Sequence, residues 1–282
     1  MKSLWGPGSS PQSFFLRLVT FAAAAVSMLL IAFLVLYILV MGVPHITPSL
    51  FELSYTSENV SLVPAFINTV SITFFTLLIA APLGILAAVW LAEYAKRGSR
   101  LVKAVRLAAE TLSGIPSIVY GLFGMLMFVG FFKWRLSLIA GAFTLAVMVL
   151  PLIMRTTEES LMSVPDTFRE GSFGLGAGKL RTVFFIVLPS AMPGILAGVI
   201  LATGRIMGET AALIYTAGTK PEFNWNVFES ARTLAVHMYV LSGEGLHVNQ
   251  TYATAVVLLI LVIGVNSLSA WLAKKIAGEQ NG

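Results

Sequence analysis

The stretch RTTEESLMSVPDTFREGSFGLGAGKLRTVFFIVLP, residues 155–189, is the longest polar segment on the basic side of an otherwise apolar chain. Ser163, followed three residues later by Asp166, forms a capping-box pattern and predicts that a helix begins there. Apolar residues then recur at helical spacing on one face: Val164, Phe168 and Leu175. Two interpretations fit this pattern. The helix lies flat on a membrane surface, or it docks into a groove of a soluble partner.

The composition is that of an integral membrane protein. Of the 282 residues, 57% are hydrophobic and only 11% are charged, with a mean hydropathy of +0.88. The sequence contains no cysteine, which excludes disulfides, a thiol nucleophile and thiolate metal sites. The net charge of +5 comes from basic residues beside apolar segments, so membrane topology explains it better than nucleic-acid binding.

Six apolar segments are long enough to cross a bilayer. The predicted spans are 19–42, 65–92, 108–132, 136–154, 189–217 and 251–273. We divide the chain into a cytoplasmic segment 1–17, a first helix with its outside loop 18–64, a membrane core 65–275 that contains the cytoplasmic segment 155–189, and a tail 276–282.

The distribution of Lys and Arg predicts the orientation of these spans. Thirteen of the 18 basic residues lie on one side and four on the other, and Arg205 is inside the fifth span. By the positive-inside rule, both termini and the segment 155–189 are cytoplasmic. The sequence therefore predicts an all-α membrane protein with six transmembrane helices.

Arg205 and Glu209 are the only charges well inside a predicted span, and intramembrane charges are costly. Their i,i+4 spacing predicts that they pair on one helix face. Gly194 and Gly198 share that face and predict the close approach of another helix. The pair is either a structural lock between helices or part of a translocation path. A guanidinium forks well onto phosphate or carboxylate, so the second interpretation favours an anion.

The segment 155–189 resembles the "EAA" loop of ABC importer permeases. The match consists of Glu170-Gly171-Ser172, then Gly176, then Ile186-x-Leu188-Pro189, although Gly171 and Ser172 stand where that family usually has alanine. The resemblance implies a type I ABC importer permease fold, with a coupling helix that docks on an ATPase subunit. It assigns the contact with the ATPase to Asp166, Arg169, Glu170, Gly176, Leu188 and Pro189.

A second stretch, GRIMGETAAL at 204–213, resembles the G-R-x-x-G-E-T segment of phosphate ABC importer permeases, with Ala212 where proline is usual. Further stretches near 113–121, 150–159 and 244–255 resemble the A subunit of that system, PstA. The resemblance implies a bacterial or archaeal plasma (inner) membrane protein. Its implied partners are a homologous second permease (PstC-like), an ATPase dimer (PstB-like) and an external phosphate-binding protein (PstS-like), besides membrane lipid. No nucleic acid is expected.

The predicted substrate path consists of Arg205, Glu209, Thr210, Ser117 and Asn68. In this interpretation Glu209 accepts a hydrogen bond from a protonated phosphate oxygen, which sulfate lacks. Ser117 follows the helix-breaking Gly114 and Pro116, and a broken helix can line a polar cavity. Other oxyanions such as sulfate or molybdate, an intramembrane enzyme and a membrane assembly factor are the alternatives.

The sequence does not predict an enzyme or a bound cofactor. The glycine-rich 174–180 fails as a P-loop, because Phe173 and Leu180 stand where glycine and Ser or Thr are needed. ATP and Mg²⁺ are expected to be used by the partner ATPase. His45, His237 and His247 fall in predicted outside loops without metal-ligand spacing, so each is predicted to be solvated. The outside loop 218–250 is predicted to carry an amphipathic surface helix or a surface for an external partner.

Overall fold

The computed structural model describes residues 11–96 and 98–279, and every regular element within these ranges is helical. The α-helices are α1 (Pro11–Gly42), α2 (Val63–Val89), α3 (Arg100–Ser113), α4 (Ser117–Gly124), α5 (Leu138–Ser163), α6 (Asp166–Gly174), α7 (Lys179–Thr182), α8 (Leu188–Met207), α9 (Ala211–Thr216), α10 (Leu234–Glu244) and α11 (Val248–Glu279). Short π-helical turns follow α2 (Trp90–Tyr94), α4 (Met125–Phe131) and α7 (Val183–Val187). Parts of the predicted terminal segments, residues 1–10 and 280–282, lie outside the described residues.

Within the described ranges, five helical stretches are long and apolar enough to cross a membrane. They are Phe15–His45, Val63–Tyr94, Leu138–Ser163, Lys179–Met207 and Val248–Trp271. A sixth span is available if the bent pair Arg100–Ser113 and Ser117–Phe131 is counted as one. The predicted all-α fold with six spans is thereby confirmed.

The third span differs from the predicted straight helix over 108–132. α3 and α4 meet at an angle of 103°, so residues 108–113 belong to a separate amphipathic helix. The break falls at Gly114–Pro116, because proline cannot donate a backbone hydrogen bond and disfavours a helical conformation in the residue before it.

The fourth span is longer than predicted. α5 continues to Ser163, so residues 155–163 form a helix rather than the start of a loop. The predicted capping box at Ser163 is wrong: its hydroxyl donates to the carbonyl of Ser160, at the end of α5. Val164 is extended (φ −69°, ψ 125°), as expected before Pro165. α6 therefore begins at Asp166 without a side-chain cap.

The fifth span begins earlier and ends earlier than the predicted 189–217. The helical path starts at Lys179 and stops at Met207, and α9 follows as a separate short helix. Two glycines of α8 lie directly against α5: a Cβ atom on Gly194 would overlap Ser160, and one on Gly198 would overlap Thr156. The close helix approach predicted from these glycines is confirmed.

The outer loop is also more buried than predicted. α10 does not lie on the outer surface as an amphipathic helix, because Leu234, Ala235, Val236 and His237 are all at most 1% exposed. The first turn of α10 is therefore packed inside the bundle. The core itself lies between α2, α5, α8 and α9, around Ile72, Leu145, Ile153, Ile206 and Leu213.

Candidate functional site

Arg169 holds α6 against the rest of the bundle. Its Nη2 donates to Glu93 Oε1 at 2.6 Å and to the carbonyl of Leu161 at 2.9 Å. Its Nη1 donates to the carbonyl of Val164 at 2.7 Å and to Asp166 at 3.2 Å. Only 16% of the Arg169 side chain and 9% of the Glu93 side chain are exposed. Arg169 therefore joins the inner ends of α2 and α5 to α6, instead of facing outward.

A second contact joins α6 to the following helix. Ser172 Oγ and Thr182 Oγ1 lie 2.8 Å apart, which links α6 to α7. This contact needs a hydroxyl at 172, where the resembling family usually has alanine. Gly171 has no heavy atom within 4 Å of its Cβ position, so nothing in the described chain explains that second departure.

The outward side of α6 forms an exposed surface, which we call the α6 face. Phe168 (49% exposed) and Phe173 (47% exposed) flank the exposed Glu170, and Leu175 is 91% exposed. Gly176 ends the helix as predicted, with φ at +81° and its N–H donating to the carbonyl of Phe173. Exposed apolar side chains around a charge are typical of a protein contact surface.

The remaining predicted coupling residues do not belong to the α6 face. Leu188 and Pro189 begin α8 and are partly buried. Leu188 packs against a cluster that contains Val183, Val187 and Leu161. These two residues join the polar segment to the membrane helix that carries Arg205.

Arg205 lines a cavity of about 740 Å³ between α5, α8 and α11. Its lining is Leu152, Ala197, Ile200, Leu201, Gly204, Arg205, Val262, Asn266 and Ala270. A second cavity of about 400 Å³ shares Ala197 and Leu201 with the first and reaches Ser163, at the end of α5. We call the two cavities together the α8 groove. It runs along α8 from the end of the bundle that carries α6 to Arg205.

The predicted Arg205–Glu209 ion pair is wrong in this conformation. α8 ends at Met207, so Glu209 lies beyond the helix and i,i+4 pairing is lost. Its Oε1 instead accepts a hydrogen bond from the backbone N–H of Ala212 at 3.2 Å, at the start of α9. No carboxylate lies within 4 Å of the Arg205 guanidinium in the part of the chain that the structure describes. Within the described ranges, Arg205 thus lines its cavity as a positive charge without a paired carboxylate.

The other predicted path residues occupy three different environments. Thr210 is partly buried next to Glu209, and its hydroxyl donates to the carbonyl of Gly208 at 3.4 Å. Ser117 is partly buried at the first turn of α4, directly after the predicted break. Asn68 is only 1% exposed and donates to the carbonyl of Arg232 at 3.2 Å, so it fixes the outer loop to α2 in this conformation.

Ala212 is buried where two helices pack closely against each other. Ala212 is fully buried, and its Cα lies 2.9 Å from where a Cβ atom on Gly121 would stand. α4 and α9 therefore cross in close contact at these two residues, and any larger group at 121 would separate them.

Sequence reasoning missed two polar residues. Glu93 lies just past the predicted second span. Its role could have been recognised from the sequence, because it is a lone carboxylate on the side of the membrane that carries the basic loop. Asn266 lies inside the sixth span, and the signal for it was a carboxamide in an otherwise apolar helix. Its Oδ1 is buried and has no hydrogen-bond partner among the described residues.

His237 contradicts the prediction of a solvated loop histidine. It is fully buried, and its ring meets Tyr55 edge-on with 6.0 Å between centroids. Burial and the nearby Arg232 charge lower the pKa of His237 to about 4, because both disfavour a second positive charge. At neutral pH this ring is uncharged.

The family of the chain follows from comparison with known proteins. A model described as "Binding-protein-dependent transport system inner membrane component" matches residues 80–278. The chain belongs to this family of ABC importer permeases. The probable ABC transporter permease protein YqgI of Bacillus subtilis is 40% identical over 226 residues, which cover 74% of this chain and 76% of that protein. The phosphate transport system permease protein PstA of Haemophilus influenzae is 37% identical over 204 residues, 70% of each chain.

Solved structures show the same fold at low sequence identity. A chain of the MetNI methionine ABC transporter in an inward-facing conformation aligns with a TM-score of 0.62 at 21% identity, covering 76% of this chain and 95% of that one. A chain of a bacterial alginate ABC transporter, solved in complex with a periplasmic protein, aligns with a TM-score of 0.64 at 16% identity, covering 94% of each. The type I importer permease fold implied by the "EAA" resemblance is confirmed. Permease subunits of this family are not themselves enzymes.

Proposed function

We propose that this permease subunit forms half of the phosphate path of an ATP-driven importer in a bacterial or archaeal inner membrane. The observation that carries the proposal is the Arg205 guanidinium, which lines the α8 groove and has no carboxylate partner among the residues that the structure describes. A fixed positive charge between membrane helices is costly unless it serves an anion or a path. The phosphate transport permeases among the relatives and the GRIMGET stretch favour phosphate over another anion.

The α6 face supports docking of an ATPase. It combines exposed apolar residues with Glu170, and it lies on the side that the positive-inside rule assigns to the cytoplasm. The proposed partner is an ATPase dimer (PstB-like) that uses ATP and Mg²⁺, and this chain binds neither directly. A second permease (PstC-like) completes the path, and an external phosphate-binding protein (PstS-like) delivers the anion.

Coupling uses the contacts that hold α6. When the ATPase dimer closes, it moves α6, and α6 cannot move alone, because Arg169 binds Glu93 beyond α2 and Ser172 contacts Thr182. The motion is thereby passed to α2 on one side and to the continuous helical path Lys179–Met207 on the other. That path carries Arg205, so ATP-driven closure changes the side from which the groove is open.

Arg205 supplies the anion contact. Two N–H groups of one guanidinium can donate to two oxygens of phosphate, and such charge-assisted hydrogen bonds are stronger than neutral ones. Sulfate or molybdate would satisfy the same fork, so these oxyanions remain the alternative substrates that an experiment must separate.

Uptake of radiolabelled phosphate tests the proposal. Cells without other phosphate importers express the complete complex with the native chain, Arg205→Ala, or the control Arg100→Ala, which removes an exposed arginine of α3. Loss of one charged hydrogen-bonding group predicts a fall in uptake of about 10- to 100-fold for Arg205→Ala at unchanged protein level. The control is expected to retain uptake.

Competition decides the substrate. Phosphate uptake should resist a hundredfold excess of sulfate or molybdate. If either anion competes, the alternative oxyanion is correct, and if Arg205→Ala transports normally, Arg205 is not part of the path.

A further inference from the structure

The cavity that Arg205 lines contains a second polar side chain, on the opposite wall from Arg205. Asn266 of α11 lines the same cavity of about 740 Å³. Its amide nitrogen lies 3.4 Å, and its Oδ1 3.7 Å, from the position where a Cβ atom on Gly204 would stand. The carboxamide therefore packs against α8 at Gly204, one residue before Arg205.

The environment of Asn266 leaves its acceptor unused. Oδ1 is buried and accepts no hydrogen bond from the described residues. The remaining lining of this cavity is aliphatic or glycine, apart from Arg205. A buried amide without a partner destabilises a membrane helix, so such a group needs either a structural partner or a ligand.

We propose that Asn266 is a specificity-determining residue, which accepts a hydrogen bond from the P–OH group of the anion held by Arg205. This inference rests on the proposed function. In monohydrogen phosphate, the three unprotonated oxygens accept from the guanidinium, and the hydroxyl is a donor that needs an acceptor. Glu209, which the sequence suggested for this role, does not line this cavity, and its Oε1 accepts from the backbone N–H of Ala212 at the start of α9.

The chemistry separates phosphate from sulfate. Sulfate carries no proton at neutral pH, so it fills the Arg205 fork but leaves the buried amide oxygen of Asn266 unpaired. Sites that hydrogen-bond a substrate hydroxyl discriminate strongly against analogues that lack it, because the buried polar group then remains unsatisfied. Arg205 provides the attraction for an oxyanion, and Asn266 provides the choice between oxyanions.

A cysteine reporter in the groove tests this choice directly. The chain has no native cysteine, so Ala197→Cys places a single thiol at an exposed residue that lines both cavities of the groove. The full complex is treated with an anionic methanethiosulfonate, and labelling of this chain is followed by mass. Phosphate and sulfate are compared at equal concentration and equal ionic strength. The reporter is combined with native Asn266, Asn266→Leu, Asn266→Gln and the neighbouring control Ser267→Ala.

With Asn266 present, phosphate should slow labelling at least fivefold more than sulfate does. Asn266→Leu should bring the ratio close to one, Asn266→Gln should restore part of it, and Ser267→Ala should leave it unchanged. If phosphate still protects preferentially in Asn266→Leu, the inference is overturned while the proposed function stands. If neither anion protects the reporter in the native background, the substrate does not use the groove, and both the inference and the proposed path fail.

Discussion

Replacing Arg169 by methionine removes the charge that holds α6 while keeping much of the side-chain volume. The native guanidinium makes hydrogen bonds to Glu93, to Asp166 and to the carbonyls of Leu161 and Val164. Only the Asp166 contact reaches a well-exposed partner, whose side chain is 68% exposed. The substitution therefore leaves the Glu93 carboxylate, which is 9% exposed, without a counter-charge.

The expected loss of stability is large. Removing one member of a buried ion pair costs about 3–5 kcal/mol, chiefly because the other charge remains buried and unpaired. An exposed pair such as Lys220–Glu222, separated by 3.7 Å, contributes only about 0–1 kcal/mol. Lys220→Gln is accordingly the matched control.

The assay uses the purified complex in lipid. Thermal unfolding is measured for Arg169→Met, Glu93→Gln and the double variant, together with the ATPase rate with and without the loaded external binding protein. Each single variant should lower the melting temperature and bring the stimulated ATPase rate down to the basal rate. The double variant should be less destabilised than the sum of the two, by about 2 kcal/mol, because it leaves no unpaired buried charge.

Additive effects of the two substitutions would refute the reasoning, since they would show that Arg169 and Glu93 act independently. Normal stimulation of the ATPase in Arg169→Met would also contradict it, because α6 would then transmit motion without its contact to the end of α2.

Three further substitutions have defined outcomes in thermal unfolding of the same complex. Gly198→Val should destabilise the complex by about 1–3 kcal/mol, because the added side chain forces α5 and α8 apart. Gly264→Ala, with open space around its Cβ position, should have little effect. Equal effects of the two substitutions would exclude close packing as the cause of the destabilisation. His237 stays neutral down to a pKa of about 4 in the folded chain, whereas an unfolded histidine protonates near 6.5. The free energy of unfolding should therefore fall by up to about 3 kcal/mol between pH 6.5 and 4. Its pH profile should be flatter in His237→Leu, and an identical profile would contradict this reasoning. Gly176→Ala should lower the free energy of unfolding by about 1 kcal/mol, because φ at this residue is +81°. Gly174→Ala, at the helical end of α6, should have little effect. A larger loss of stability in Gly174→Ala than in Gly176→Ala would show that the turn is not left-handed.

Much of the architecture could be predicted because membrane helices follow local rules. A span is a run of apolar residues of sufficient length, and its orientation follows from nearby Lys and Arg. The break between α3 and α4 was visible in Gly114 and Pro116, since both act on the backbone at their own position. The glycines of α8 likewise predict the close approach of another helix, because the absence of a side chain can be read directly from the sequence.

The incorrect predictions concern sequence patterns that are compatible with two different local structures. Ser163 and Asp166 satisfy a capping box, but the same hydroxyl can bond backward to Ser160, and the extension of α5 made that choice. Arg205 and Glu209 have the spacing of a helical pair, but only a continuous helix brings them together, and α8 ends at Met207.

The sequence by itself determined that this chain is an all-helical membrane permease with a polar segment at residues 155–189 and a charge in its fifth span. These properties depend on composition, short spacing and local backbone preference. Only the tertiary structure decided that Arg169 binds Glu93, that His237 is buried, and that Asn266 faces the cavity of Arg205. Each of these contacts joins residues more than 60 positions apart or depends on burial, and the packing of whole helices, not local sequence, sets which distant side chains meet.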